Sequence, residues 1–257
     1  MKKILVCVKM VPIDHDVKMD NEFHMERSRV LHQLNIADMS AVEAALRCKP
    51  DAEVTVLTMG TKTAVGLLQD LFTRGVDRVI LLTDRKMAGS DSYATAVVMQ
   101  KAIEKFGPFD LILCGRKAVD GETGQVPGEL SAALGIPCIT NVSKIEISET
   151  AICCSRLLEM AVVTLKSELP VIVSLCEYSY SLRLPSIRMR RQAAGKEVEI
   201  YGLDDLDFPE ELCGQRGSKT KVLKTVTMET GLRSCTKEND LNIGVNKLIS
   251  MIKENRS

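Results

Sequence analysis

Residues Leu111 to Thr140 read LILCGRKAVDGETGQVPGELSAALGIPCIT, and their small and polar side chains are spaced to hold an anion. Gly115 ends an apolar run, Leu111-Ile112-Leu113-Cys114. A polar loop follows from Arg116 to Thr123, and Gly124-Gln125-Val126 opens a segment with Val126, Leu130 and Leu134 at helical spacing. A buried parallel strand, a turn and a helix start give this order. The ligand position in such a unit is beyond the carboxyl end of the strand, at the helix N-terminus. Unpaired amides and the helix dipole favour a phosphate there. Gly121 and Gly124 carry no Cβ to keep a ligand away. Asp120 and Thr123 can cap the helix, and Gln125 can donate or accept. An ordinary capped turn accounts for the same residues without a ligand.

Other chemistries find little support. The chain has no G-x-S-x-G elbow, no G-x-x-x-x-G-K-[ST] loop and no G-x-G-x-x-G fingerprint. No catalytic residue is expected. His15, His24 and His32 lack ligand spacing, so no metal site is expected either. Nine cysteines form no CxxC, and several sit inside apolar strand patterns, which suits a reduced cytoplasmic protein. Basic and acidic residues balance at 34 each, so no overall field recruits nucleic acid or a membrane surface. No apolar run approaches the length of a membrane span.

The elements that must position the loop alternate. Ile4 to Val8, Val54 to Leu57, Val79 to Leu82 and Leu111 to Cys114 read as strands. Asn35 to Cys48, a stripe of Val65, Leu68 and Phe72 capped by Thr61, and Asp91 to Lys105 read as helices. The fold expected is α/β: a doubly wound, mostly parallel, Rossmann-like sheet. Met10 to Val30 reads as a long loop or hairpin. Ser143 to Ile147, Ala151 to Leu157, Val162 to Leu165 and Val171 to Leu175 read as an antiparallel addition at the sheet edge. Ile187 to Ala194 reads as a short helix, and the chain from Leu203 as polar loop up to a last amphipathic helix, Asn242 to Lys253. Residues 1–190 then form the nucleotide-binding domain and 191–257 a C-terminal arm. Asn35 and Asp38 open the first helix, where they can cap it or reach the crevice beside the loop.

The run G-R-K-A-V-D-G-E-T-G-Q-V, residues 115–126, resembles the nucleotide loop of the β subunit of electron transfer flavoproteins, and the resemblance extends from Met1 to about Val222. It implies a heterodimer with an α subunit, an adenine nucleotide in this chain, and electron exchange with a flavin-dependent dehydrogenase such as an acyl-CoA dehydrogenase. It implies that Cys7, Asn35, Asp38, Met59, Gly115, Asp120, Gly121, Thr123, Gly124, Gln125 and Val126 surround the nucleotide, and that His15 lies near the partner's flavin. Without the resemblance, Cys7 and Met59 read as core side chains. Asp91-Ser92-Tyr93-Ala94-Thr95 resembles the D-T-x-A-T motif of members that bifurcate electrons and hold a whole FAD in this subunit, whereas others hold AMP. An Asp91 or Ser92 helix cap explains the same residues. Leu184, followed by Pro185 and the basic Arg188, Arg190 and Arg191, matches the family's leucine anchor for a dehydrogenase pocket. Met160, Ala161 and Val163 depart from the family's acidic pattern, and Pro127-Gly128 reverses the expected glycine-proline. A stand-alone nucleotide-binding or nucleotide-sensing module of the same fold is the alternative reading.

Overall fold

Ile4, Val6, Val54, Val56, Leu111 and Leu113 face one side of a sheet, and Leu5, Cys7, Leu57, Ile112 and Cys114 the other. Both sets are buried. Period-2 strands that are apolar on both faces require a helical layer on each side. The computed structural model describes residues 1–13, 31–223 and 237–254. His15, His24 and most of the segment Met10 to Val30 lie outside the described residues.

The strands are β1 (Lys2–Cys7), β2 (Met10–Pro12), β3 (His32–Leu34), β4 (Ala52–Met59), β5 (Arg78–Leu82), β6 (Leu111–Gly115), β7 (Cys138–Ile147), β8 (Ala151–Leu157), β9 (Val162–Glu168), β10 (Val171–Leu175) and β11 (Glu199–Tyr201). The helices are α1 (Ile36–Leu46), α2 (Val65–Thr73), α3 (Ser92–Phe106), α4 (Val126–Leu134), α5 (Ile187–Ala193), the single turns α6 (Leu203–Leu206) and α7 (Gly214–Gly217), and α8 (Leu241–Glu254). The main sheet runs β11-β5-β4-β1-β6-β10-β7-β8-β9, and β2 pairs with β3 separately. Ala41, Val42, Leu68, Leu71 and Phe72 bring α1 and α2 onto one face. Ala96, Met99, Ile103 and Leu130 bring α3 and α4 onto the other. Each large aliphatic side chain buried this way contributes roughly 1.5–3 kcal/mol.

Several elements differ from the expectations. β10 is not part of an antiparallel edge. It lies between β6 and β7, parallel to both. Its unbroken Val-Ile-Val-Ser-Leu is wholly buried, as a strand covered on two faces must be. The antiparallel addition is β8 and β9, paired after β7. β7 begins at Cys138, ahead of the expected Ser143, because an irregularity near left-handed Asn141 (φ 58°) breaks the alternation. Thr61 does not cap a helix amide; its hydroxyl meets Thr63 Oγ1 at 2.6 Å. The segment after Leu203 is less loop-like than expected, since Leu203, Leu206 and Cys213 are buried against the α3 face. By its contacts the chain divides into Met1–Val222 and Leu223–Ser257. β11, which pairs with β5, belongs to the first unit. The second holds α8, whose Leu241, Val245, Leu248, Ile249 and Ile252 are exposed.

Candidate functional site

From β1 the chain builds outward through β4 and β5, then crosses to β6 on β1's other side. The crevice of a doubly wound sheet opens where that direction reverses, here between β1 and β6. Asp38, in the first turn of α1, spans this gap. Its Oδ2 accepts from the Lys9 amide at 2.8 Å and its Oδ1 from the Gly115 amide at 3.1 Å. One buried carboxylate therefore ties the loop after β1 to the end of β6. Gly115 must be glycine for this reason, because a Cβ there would stand 2.1 Å from Asp38 Oδ1 and 2.8 Å from Ala37 Cβ. Burial pushes the Asp38 carboxyl up to about 7, against the pull of hydrogen bonds from Asn35, Lys9 and Gly115 and of the Lys9 charge.

Asn35 precedes α1 and is 1% exposed. Its Nδ2 donates to the Lys117 carbonyl at 2.9 Å, while its buried Oδ1 has no hydrogen-bond partner among the described residues. Asp120 does not cap a helix, contrary to expectation. It accepts from the Gly121 amide at 2.9 Å and pairs with Lys9 Nζ at 2.7 Å. Thr123 Oγ1 reaches the Gln125 amide only at 3.5 Å, so neither expected cap closes α4. The first amides of α4 thus lack a side-chain cap, which leaves the helix end able to receive a ligand's oxygens. Gly124 has φ +62°, and a Cβ there would be 3.1 Å from the Arg116 carbonyl. A Cβ at Gly121 would meet nothing within 4 Å, so the chain itself demands no glycine there.

On the other face, Asp91 caps α3 by accepting from the Ala94 amide at 2.9 Å. Ser92 Oγ donates to Glu129 Oε1 at 3.0 Å and lies 3.3 Å from Gln125 Oε1, joining the starts of α3 and α4. Burial pushes the Glu129 carboxyl up, the Ser92 hydrogen bond opposes it, and Asp91 adds to the rise. Thr95 is half-buried, and its hydroxyl has no hydrogen bond among the described residues. Cys7 and Met59 pack into the α3-side core. The Cys114 thiol is pushed well above its usual range by its hydrogen bond with Cys7 and by burial. Val126 opens α4 and packs against the same core.

Glu129 stands at the candidate site although the sequence reading did not single it out, and Lys9, Arg116 and Lys117 join it from the loops after β1 and β6. Arg116 and Lys117 line a cavity of about 330 Å³ with Thr123, Gly124, Thr140 and Ser174. Arg116 pairs with Glu177 at 3.0 Å and Lys117 with Glu122 at 3.2 Å. The sequence signal was a basic pair directly after the glycine that ends β6. Among the described residues no group of three or more His, Cys, Asp or Glu stands together as a metal site, and no helix is long and apolar enough to cross a membrane.

Leu184, Pro185 and Arg188 lie elsewhere, on the segment from β10 into α5, which packs beside α2. Leu184 is 84% exposed. Arg188, Arg190 and Arg191 are exposed and form no ion pair among the described residues.

The sequence profile of the electron transfer flavoprotein domain matches residues 23–206. The chain is 38% identical over 231 residues to an electron transfer flavoprotein subunit beta of Thermoanaerobacterium thermosaccharolyticum, covering 88% of each chain. It is 33% identical to the caffeyl-CoA reductase-Etf complex subunit CarD of Acetobacterium woodii, covering 87% of each. It is 31% identical to the acryloyl-CoA reductase electron transfer subunit gamma of Anaerotignum propionicum, covering 88% of each.

Proposed function

The chain belongs to the electron transfer flavoprotein family, and from that premise we propose that it is the β subunit of a heterodimeric electron carrier whose crevice between β1 and β6 binds an adenine nucleotide. The observation that carries the reading is the Asp38 bridge across the switch point, with Asn35 Oδ1 buried and unpartnered beside it. An acceptor left unsatisfied costs about 1–3 kcal/mol, so a donor such as an adenine amine or a ribose hydroxyl is favoured there. The uncapped start of α4 and Gly124 suit the phosphate end.

The nucleotide is FAD in this reading, with AMP as the alternative, because Ser92 and Thr95 offer two hydroxyls three residues apart on α3. A bound flavin would supply the redox chemistry. This chain's residues bind and orient it, and the loop around Leu184 docks a flavin-dependent dehydrogenase such as an acyl-CoA dehydrogenase. The exposed apolar side of α8 serves as an arm for the α subunit. The chain by itself is an electron-carrier subunit and not an enzyme, working in the reducing cytoplasm, where its eight described cysteines stay free.

The test is to co-express the chain with its α subunit, release the bound ligands and count flavin per heterodimer. Two flavins are expected, and Ser92→Ala with Thr95→Ala should lose one of them. One flavin with one AMP would assign AMP to this crevice. Nucleotide binding without any α subunit would favour the stand-alone module.

A further inference from the structure

Leu184 is an exposed leucine in a polar loop, which by itself needs no explanation; what sets it apart is how the chain before it is held. Here the residue before it is held by four hydrogen bonds. Arg183 donates its backbone amide to Glu43 Oε2 at 3.1 Å, its Nε to the same oxygen at 3.0 Å, and its Nη2 to Glu43 Oε1 at 3.1 Å. Its carbonyl accepts from Arg74 Nη1 at 2.7 Å, and Arg74 is itself held by Asp70 at 2.8 Å. On the other side Pro185 fixes its own φ, and Ser186 caps α5 by accepting from the Met189 amide at 3.2 Å. Both peptide groups flanking Arg183 are thus tied down immediately before the side chain that projects.

Glu43 is the buried end of this tether. It lies on α1, 4% exposed and 140 residues away in sequence. Desolvation opposes its charge, yet the Arg183 hydrogen bonds and Arg47 hold its carboxyl below the usual range, so it is an anion. A planar fork that also engages the backbone amide sets an orientation as well as a charge balance. We infer that Glu43 is a positioning residue for the docking loop: through Arg183 it holds Leu184 outward in the arrangement a partner's pocket receives. Preorganisation of this kind raises affinity by removing the ordering cost at the moment of binding. The inference rests on the docking role proposed for Leu184.

The experiment uses the co-expressed heterodimer and an acyl-CoA dehydrogenase with which the wild-type complex exchanges electrons. Glu43→Gln should raise KM for the dehydrogenase about tenfold, with kcat and flavin content unchanged. In the absence of dehydrogenase, amide exchange of the peptide 182–187 should quicken about tenfold or more, with β1, β4 and β6 as slow as in wild type. Arg183→Gln, which breaks the tether from the solvent side, should reproduce both effects and stands in if Glu43→Gln yields no folded complex. In a Leu184→Ala background Glu43→Gln should add little, because it acts through that side chain. Unchanged loop exchange overturns the inference, and so do KM effects that multiply in the double variant. If Leu184→Ala alone leaves KM unchanged, the docking role fails, and the exchange measurement still decides whether Glu43 orders the loop.

Discussion

Two buried carboxylates on α1, five residues apart, organise two different regions. Asp38 faces the crevice between β1 and β6, where its oxygens meet backbone amides. Glu43 faces the segment leaving β10, where its oxygens meet the guanidinium groups of Arg183 and Arg47. Both are desolvated, yet Asp38 is pushed up to about 7 while Glu43 is held below its ordinary value. Neutral donors satisfy a carboxylate's lone pairs without replacing the lost hydration of its charge, whereas an arginine fork does both. With its carboxyl pushed up to about 7, Asp38 gives the crevice a group that changes protonation near neutral pH, whereas the Leu184 loop is held by an ion pair that is intact at that pH. The two regions share one helix and use it for opposite ends.

The comparison breaks most sharply at Gly115. An added Cβ would collide with the Asp38 carboxylate and with the Asp38 amide, both 2.8 Å away or less, and α1 is packed too tightly to move. Gly115→Ala should lower stability by about 3 kcal/mol, at the upper end of overpacking effects. It should also empty the crevice of nucleotide while leaving the Leu184 loop's amide exchange unchanged. Urea unfolding together with ligand release from the purified heterodimer reads both. Wild-type stability with full nucleotide would show that Asp38 does not wedge the two strands as described.

How far the sequence led depends on which side of this comparison a residue lies. The β–α rhythm was legible because each buried strand is a short apolar run with its own flanking turn, and Leu111 to Gly115 with the helix at Val126 stand where spacing put them. The crevice loop was legible through Gly124, whose positive φ has a local cause, but not through Gly121, where a Cβ would meet nothing, and the demand for glycine at Gly115 comes from Asp38, 77 residues away. The long-range pairings were not. Lys9 with Asp120 and Glu43 with Arg183 join residues more than 100 positions apart, and one sequence carries no signal for such a pair. The place of β10 was missed although its five-residue apolar run is the pattern of a strand covered on both faces. The small buried cluster of Leu203, Leu206 and Cys213 was missed because three core residues in short turns make no period.

At the proposed docking loop the expected effect of truncation is smaller and of another kind. Leu184 has no core to leave, so Leu184→Ala should not change stability or flavin content. An anchor that fills a partner pocket loses on the order of 2 kcal/mol when cut to alanine, which is roughly a thirtyfold loss of affinity. It should appear mainly as faster dissociation. Substituting exposed Arg188 should instead slow association and weaken its salt dependence. Interprotein electron transfer at subsaturating dehydrogenase separates these effects. A wild-type rate for Leu184→Ala at every partner concentration would remove Leu184 as the anchor.

The smallest effect is a slope, and it tests the contrast between the two carboxylates directly. Asp38 is raised from 3.8 to about 7, so between those values the folded chain holds a proton that the unfolded chain releases. The stabilisation is fully present below the lower value and is lost as pH rises through the upper one. Glu43 is lowered from 4.5, so its contribution is present above that value and is lost as pH falls toward its folded value. The two groups therefore pull the stability–pH curve in opposite directions. Asp38→Asn removes one titration and leaves a side chain of the same shape, with one acceptor in place of two. It should be somewhat less stable than wild type near pH 5, by about 1 kcal/mol for the amide left unpaired. The gap should shrink or reverse by about pH 8, where wild type carries the buried charge. Glu43→Gln should behave in the opposite sense, with its deficit largest at neutral pH and diminishing toward acid. Urea midpoints of the nucleotide-free heterodimers across this range measure both slopes. Parallel wild-type and Asp38→Asn curves would mean that the two amides and Lys9 hold the Asp38 carboxylate charged across this range, and the crevice would then be fixed by charge as the Leu184 loop is.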